Sequence, residues 1–269
     1  PQGVMDTHDE DTIAFFRNSK VKCLLCPRIP DDSLSAVQVL QIATMFSHHQ
    51  KLVSLDVACA PPSVARKVVS FMGGIDLCNG RFDDQRHSLF RTLNAEHSCD
   101  FYQSCFINSS IASGGPRQPW HDIHCQLQGP IAWDVVSNFE QRWKKQGWAN
   151  VLADLGNNPC LLPAHAMADE LNHDHTSPEA WNAQLFRSID GGAAFGFPDN
   201  HEEAADMGLV SGKNNITERS IQDAYIRAIR SADRFIYIEN QYFLGSCYAW
   251  ESGQNVGCLN LIPMEITLK

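Results

Sequence analysis

The sequence predicts an α/β sandwich built around a largely buried mixed sheet, and three observations carry that expectation. Short apolar runs of strand length alternate with helical patterns, the order that places helices on the faces of a sheet. A helix-then-strand unit occurs twice, about two hundred residues apart, as a duplicated α/β unit leaves behind. The chain has 269 residues of which 43% are apolar, enough to fill one large domain or two smaller ones.

The first helix-strand unit is Asp9 to Asn18, with Ile13, Phe15 and Phe16 on one helical face, running into the apolar strand Val21 to Cys26, which Pro27 ends. A second strand is expected over Met45 to Val57 and a third around Lys67 to Met72. A helix follows from Gln128 to Gln146, with Pro130 in its first turn and Val135, Val136, Phe139 and Trp143 facing inward. Gly, Pro, Asn and His dominate from Asn157 to Ser177 and from Gly191 to Asn215. These stretches read as long loops, which in a compact domain usually border a site. The second unit has a helix over Glu218 to Ser231, striped by Ile221, Tyr225, Ala228 and Ile229, and a strand at Phe235 to Ile238.

Charge narrows the function classes. Lys and Arg total 21 against 31 Asp and Glu, a formal charge of -10, which opposes general binding to a nucleic-acid backbone. No apolar run approaches the length needed to span a bilayer, and the first residues have no signal-peptide pattern. Ten cysteines scattered through apolar contexts fit reduced, mostly buried thiols and a cytoplasmic setting. Cys23 and Cys26 form a lone Cys-x-x-Cys within an apolar strand and read as structural thiols. The opening at Pro1 suggests a fragment of a longer protein.

Chemistry concentrates in Phe46-Ser47-His48-His49-Gln50-Lys51-Leu52-Val53-Ser54-Leu55-Asp56, where His49, Lys51 and Asp56 have the spacing His-x-Lys-x4-Asp. Side chains alternate along a strand, so His49 and Lys51 share a side while His48, Gln50 and Leu52 face the other way. A nucleophilic imidazole beside an ammonium suits phosphoryl chemistry: the ring attacks phosphorus and the cation stabilises charge on the non-bridging oxygens. A second imidazole is then required to protonate the leaving alcohol. Asp56 has the opposite parity and is expected to act past the strand end or to hold another group in place.

The run His48-His49-Gln50-Lys51 with Asp56 resembles the first catalytic motif of plant phospholipases D. Phe71-Met72-Gly73-Gly74-Ile75-Asp76-Leu77-Cys78, His87-Ser88-Leu89-Phe90, Pro119-Trp120-His121-Asp122-Ile123-His124 and Gly129-Pro130-Ile131-Ala132-Trp133-Asp134 resemble the same family. So do Gln184 to Asp190, Ser220 to Tyr225 and Ile238 to Leu244, in order along almost the whole chain. The similarity is to the calcium-dependent, alpha-like class. Ser54, where the family strand is usually aliphatic, is a departure, as is the short, apolar turn from Cys59 to Ala65.

The resemblance implies a phospholipase D-type α-β-α sandwich, with residues 1-215 forming the first catalytic half and 216-269 the start of a second half related by a pseudo-twofold axis. It implies hydrolysis of phosphatidylcholine and related phospholipids to phosphatidic acid and a head-group alcohol through a phosphohistidine, with an alcohol able to replace water. His49, Lys51 and Asp56 are then catalytic, and His49 and Gln241 contact substrate. His87 and His121 correspond to positions associated with calcium, Ca2+. Because calcium prefers oxygen, Asp122 and Asp76 are neighbouring carboxylates that could contribute. The alternative is that both imidazoles line the substrate pocket without metal. The implied partners are calcium, a phospholipid membrane surface contacted peripherally, and a missing C-terminal half that supplies the second motif. A non-catalytic lipid- or protein-binding fragment and a nuclease-like phosphodiesterase of the same superfamily are the competing readings.

Overall fold

A computed structural model describes residues 9–26, 48–59, 66–77, 81, 83–96, 98, 120–147, 178, 180–212, 215–245 and 260–269. They belong to two compact units, Pro1–Ala183 and Gln184–Lys269.

In the first unit, helix α1 (Asp9–Phe16) precedes strands β1 (Lys51–Ala58), β2 (Arg66–Gly73) and β3 (His124–Gln128) and helix α2 (Pro130–Gly147). The strands form an antiparallel sheet in the order β1-β2-β3. Val53, Val57, Val68, Val69 and Phe71 are β-branched or aromatic residues that suit a pleated, half-buried surface. Pro130 sits at the first position of α2, where its missing N–H is no loss and its fixed φ favours the helix. At the far end Lys144 and Lys145 complement the helix dipole, and Lys144 bonds Glu140 one turn back at 3.2 Å.

Helix α2 covers one face of this sheet. Ala132 packs with Val68, flanked by Trp133 and Val136. Ser54 and Ser70 are directly opposite in the β1–β2 register, with their hydroxyls 2.8 Å apart. The buried Ser70 Oγ also donates to the Ala132 carbonyl at 2.9 Å. A hydroxyl has one proton to give, so Ser54 donates to Ser70 and Ser70 to the helix. Ser54 is thus accounted for by a polar partner across the ladder. Farther along α2, the buried Asn138 donates to Gln50 Oε1 at 3.0 Å.

The second unit contains β4 (Ser188–Asp190), α3 (His201–Asp206), β5 (Val210–Gly212), β6 (Asn215–Arg219), α4 (Ser220–Ser231) and α5 (Ile262–Leu268). Its sheet is antiparallel in the order β4-β6-β5. Ala204, Leu209 and Ile216 pack against Phe197, which also meets Ile189, Ala193 and Ala194. Arg187 Nε bonds Glu218 at 2.6 Å across this sheet. Helix α5 docks on α4 through Arg230, whose guanidinium makes paired bonds to the buried Glu265 carboxylate.

Several sequence expectations change here. Both described sheets are small and antiparallel. The stretch 191–215, expected as loop, contains α3 and β5. Asn200 caps α3 by accepting from the Glu202 and Glu203 amides, while Gly208 closes its end at φ +74°. Val21–Cys26 and Phe235–Ile238 lie outside any ladder among the described residues, although their β-prone composition called for strands. Phe139, expected inward, is exposed at 45%, and Tyr225 of the expected helical stripe at 56%. Of the cysteines described as free, Cys23 and Cys125 are exposed and Cys26 and Cys59 half-buried. Burial pushes the Cys26 thiol up, opposed by Arg142. Residues 157–177 lie outside the described residues.

Two stability outcomes follow from these contacts. Ser70→Ala should destabilise the first unit by about 1–2 kcal/mol, because it strands the half-buried Ser54 hydroxyl. The loss should shrink in a Ser54→Val background, as a denaturant double-mutant cycle would show. In the second unit, the Arg230 hydrogen bond holds the Glu265 carboxyl below its ordinary range, against burial, with the Arg230 charge adding to it. A depressed folded pKa contributes stability that is present above the unfolded value of about 4.3 and lost as pH falls through the folded one. Hydrogen exchange of residues 262–268 should therefore be slower in the wild type than in Glu265→Gln near pH 6, with the difference disappearing at low pH.

Candidate active site

The register sets the site. Lys51 opens β1 opposite Gly73, the last residue of β2, and Gly73 in turn pairs with His124, the first residue of β3. One end of the sheet therefore collects the approach to β1, the exit from β2 and the approach to β3. His49, Asp76 and His121 lie on those three connections.

His49 and Lys51 are brought together: Lys51 Nζ lies 3.1 Å from His49 Nδ1, consistent with their shared parity. An ammonium only donates, so Nδ1 is the acceptor and the ring proton of neutral His49 resides on Nε2. Gln50 faces the other way, where Asn138 holds it. His48, adjacent to it, is half-buried, whereas His49 is exposed.

Lys51 has a second partner in Asp76 Oδ1 at 2.8 Å; the lysine side chain is 12% exposed and the aspartate 42%. Arg81 Nε stands 3.6 Å from the other carboxylate oxygen. Burial alone raises the Asp76 carboxyl, but the Lys51 hydrogen bond and charge, with the Arg81 charge, hold it below the ordinary carboxylate range. The Arg81 guanidinium also lies 4.0 Å from the centre of the Trp120 ring.

Next to Trp120, the His121 ring stacks on His87 with centroids 4.1 Å apart. His87 adopts φ +47°, a left-handed conformation uncommon outside glycine, and its Nδ1 lies 2.8 Å from Asp83 Oδ2. The close approach of residues 120–123 to the exit of β2 depends on Gly74: a Cβ there would fall 2.5 Å from both Asp122 carboxylate oxygens. The two histidines named from sequence as metal positions are thus neighbours.

Their surroundings do not fit calcium unaided. Two imidazoles beside Asp83 form a nitrogen-rich set, whereas calcium takes six to eight oxygens. Among the described residues, no group of three His, Cys, Asp or Glu side chains is arranged to hold a metal. Asp76, considered from sequence as an oxygen donor, is occupied between Lys51 and Arg81.

Asp56 is not part of this gathering. It stays within β1, where Arg66 Nε donates to its Oδ1 at 2.7 Å and the Arg66 guanidinium also bonds the Asp56 carbonyl at 2.9 Å. The hydrogen bonds secure the pairing of the two strands. Gln241 belongs to the second unit, where it is exposed. Sequence reading missed Arg81, Asp83 and Asn138. Only Asp83 left a signal, four residues before His87; the other two depend on three-dimensional neighbours.

The profile of the Phospholipase D family matches residues 1–269. The chain is 58% identical over 274 residues to "Phospholipase D alpha 1" of Carica papaya, covering 99% of this chain and 33% of that protein. Identity, length and coverage are the same for "Phospholipase D alpha 1" of Oryza sativa subsp. japonica. With "Phospholipase D alpha 2" of Arabidopsis thaliana it is 56% identical over 275 residues, again over 99% of this chain and 33% of the relative. The chain therefore spans about a third of the length of these curated relatives.

Proposed function

This chain belongs to the phospholipase D family, and on that premise we propose that it forms part of a catalytic region cleaving phosphatidylcholine and related phospholipids to phosphatidic acid and a free head-group alcohol. The observation that carries this reading is the His49–Lys51 pair at 3.1 Å, with Asp76 bound to the same ammonium at 2.8 Å.

The arriving phosphate draws the Lys51 ammonium from His49 onto a non-bridging oxygen. That frees the imidazole to present a lone pair to phosphorus. A ring nitrogen then forms an N–P bond as the bond to the head-group oxygen breaks, and a second imidazole protonates the departing alkoxide. Water or another alcohol attacks the phosphohistidine, yielding phosphatidic acid or a new phosphatidyl ester and restoring His49. The second imidazole comes from another His-x-Lys-x4-Asp motif, since these 269 residues carry one. Gln241 donates its amide to a phosphate oxygen, and Asp56 supports the site by fixing the β1–β2 pairing.

In this reading, residues 1–215 are the first half of a pseudo-twofold α-β-α sandwich and 216–269 begin the second. The enzyme acts peripherally on a membrane from the cytoplasm. Among the described residues no helix is long and apolar enough to cross a membrane. The family resemblance would bring calcium to His87 and His121, whose imidazole nitrogens would need oxygen donors from elsewhere to hold it.

Head-group release by the full-length enzyme containing this segment tests the assignment. His49→Asn should reduce turnover by about a thousandfold or more, while His48→Asn retains a substantial fraction. Equal losses would contradict it. The 269-residue chain alone should show no release above its His49→Asn control, because it has a nucleophile without the second imidazole. A rate rising with the square of concentration would instead indicate that two copies share a site.

A further inference from the structure

We infer that Asp76 is a positioning residue for the phosphate-binding lysine, holding the Lys51 ammonium at the site while that ammonium changes partner from His49 to the substrate. This rests on the phospholipase D reading above and adds a residue to it.

An ammonium has three N–H groups; one reaches His49 Nδ1 at 3.1 Å and another Asp76 Oδ1 at 2.8 Å. During attack, the bond to His49 is the one that must be given up, since it caps the imidazole lone pair. Without a second anchor, a flexible four-carbon side chain would be free to leave the site at that moment. Asp76 supplies the anchor, and the third N–H is available to a phosphate oxygen.

The fold places this carboxylate independently of any substrate. Lys51 faces Gly73 across the ladder, and three residues past Gly73 the chain has turned Asp76 back onto Lys51. Asp76 is itself braced by Arg81 at 3.6 Å, whose guanidinium rests on the Trp120 ring. The carboxylate's charge is thus already shared by two cations, which suits an orienting group better than a ligand for a third.

Two measurements separate this inference from the underlying function. The first uses trace labelling of the full-length enzyme containing this segment with acetic anhydride, reading Lys51 against the exposed Lys145 by mass spectrometry. Asp76→Asn should raise the Lys51/Lys145 ratio severalfold and Asp76→Glu should restore it, with Lys67 labelling unchanged. The second uses head-group release by the full-length enzyme: Asp76→Asn should lower kcat about tenfold or more while KM moves less than about threefold, and Asp76→Glu should recover most of the loss. An unchanged Lys51 ratio overturns the inference whatever the turnover. So does a kcat within about twofold of wild type in Asp76→Asn. If that variant unfolds, shown by a parallel rise at Lys67, the Asp76→Glu variant decides: wild-type labelling and near-wild-type kcat support the inference, and loss of either overturns it. Retained turnover in His49→Asn would sink the functional reading alone, leaving the labelling result intact.

Discussion

The antiparallel pairing of Lys51 with Gly73, and of Gly73 with His124, is the constraint on which the site depends. Three strand ends are brought level, so the connections carrying His49, Asp76 and His121 emerge at one edge of one small sheet. Strands lie about 4.8 Å apart, close enough for side chains on neighbouring connections to touch. A register slip of one residue would turn Lys51 to the α2 face and remove its partners. The Ser54–Ser70–Ala132 hydrogen bonds and the Arg66–Asp56 pair oppose such a slip. They lie away from His49, yet they fix the alignment that delivers it.

The proposed phosphate site lies in an acidic chain. The net charge of -10 describes the whole molecule, whereas Lys51 and Arg81 both face the Asp76 carboxylate beside His49. The same arrangement argues against calcium binding at Asp76. The stacked His87 and His121 add aromatic surface and imidazole nitrogen nearby, a donor set that calcium does not favour.

Local sequence patterns revealed β1, β2, α2 and α4 because each carries a continuous periodic or β-branched signal. The two-residue alternation also placed His49 with Lys51 and apart from Gln50. It could not reveal β3, whose His124-Cys125-Gln126-Leu127-Gln128 has little apolar character and owes its place to pairing with β2. Nor could it show that Asp56 would be held by Arg66, ten residues away in sequence but neighbouring across the ladder. The misassignment at 191–215 arose because Gly and Asn residues flank a short helix capped by Asn200 and obscure its pattern. At Phe235–Ile238, side chains suited to a strand are not sufficient without a pairing partner among the described residues.

In the proposed function, phosphorus is attacked from the His49–Lys51 side of β1. Phosphohistidine can be trapped by quenching the full-length enzyme in alkali during turnover of short-chain phosphatidylcholine, then located by peptide mass spectrometry. A phosphatidyl adduct is expected on His49 and is expected to be absent in His49→Asn. An adduct on His48, or on a histidine elsewhere with His49 unmodified, would contradict it.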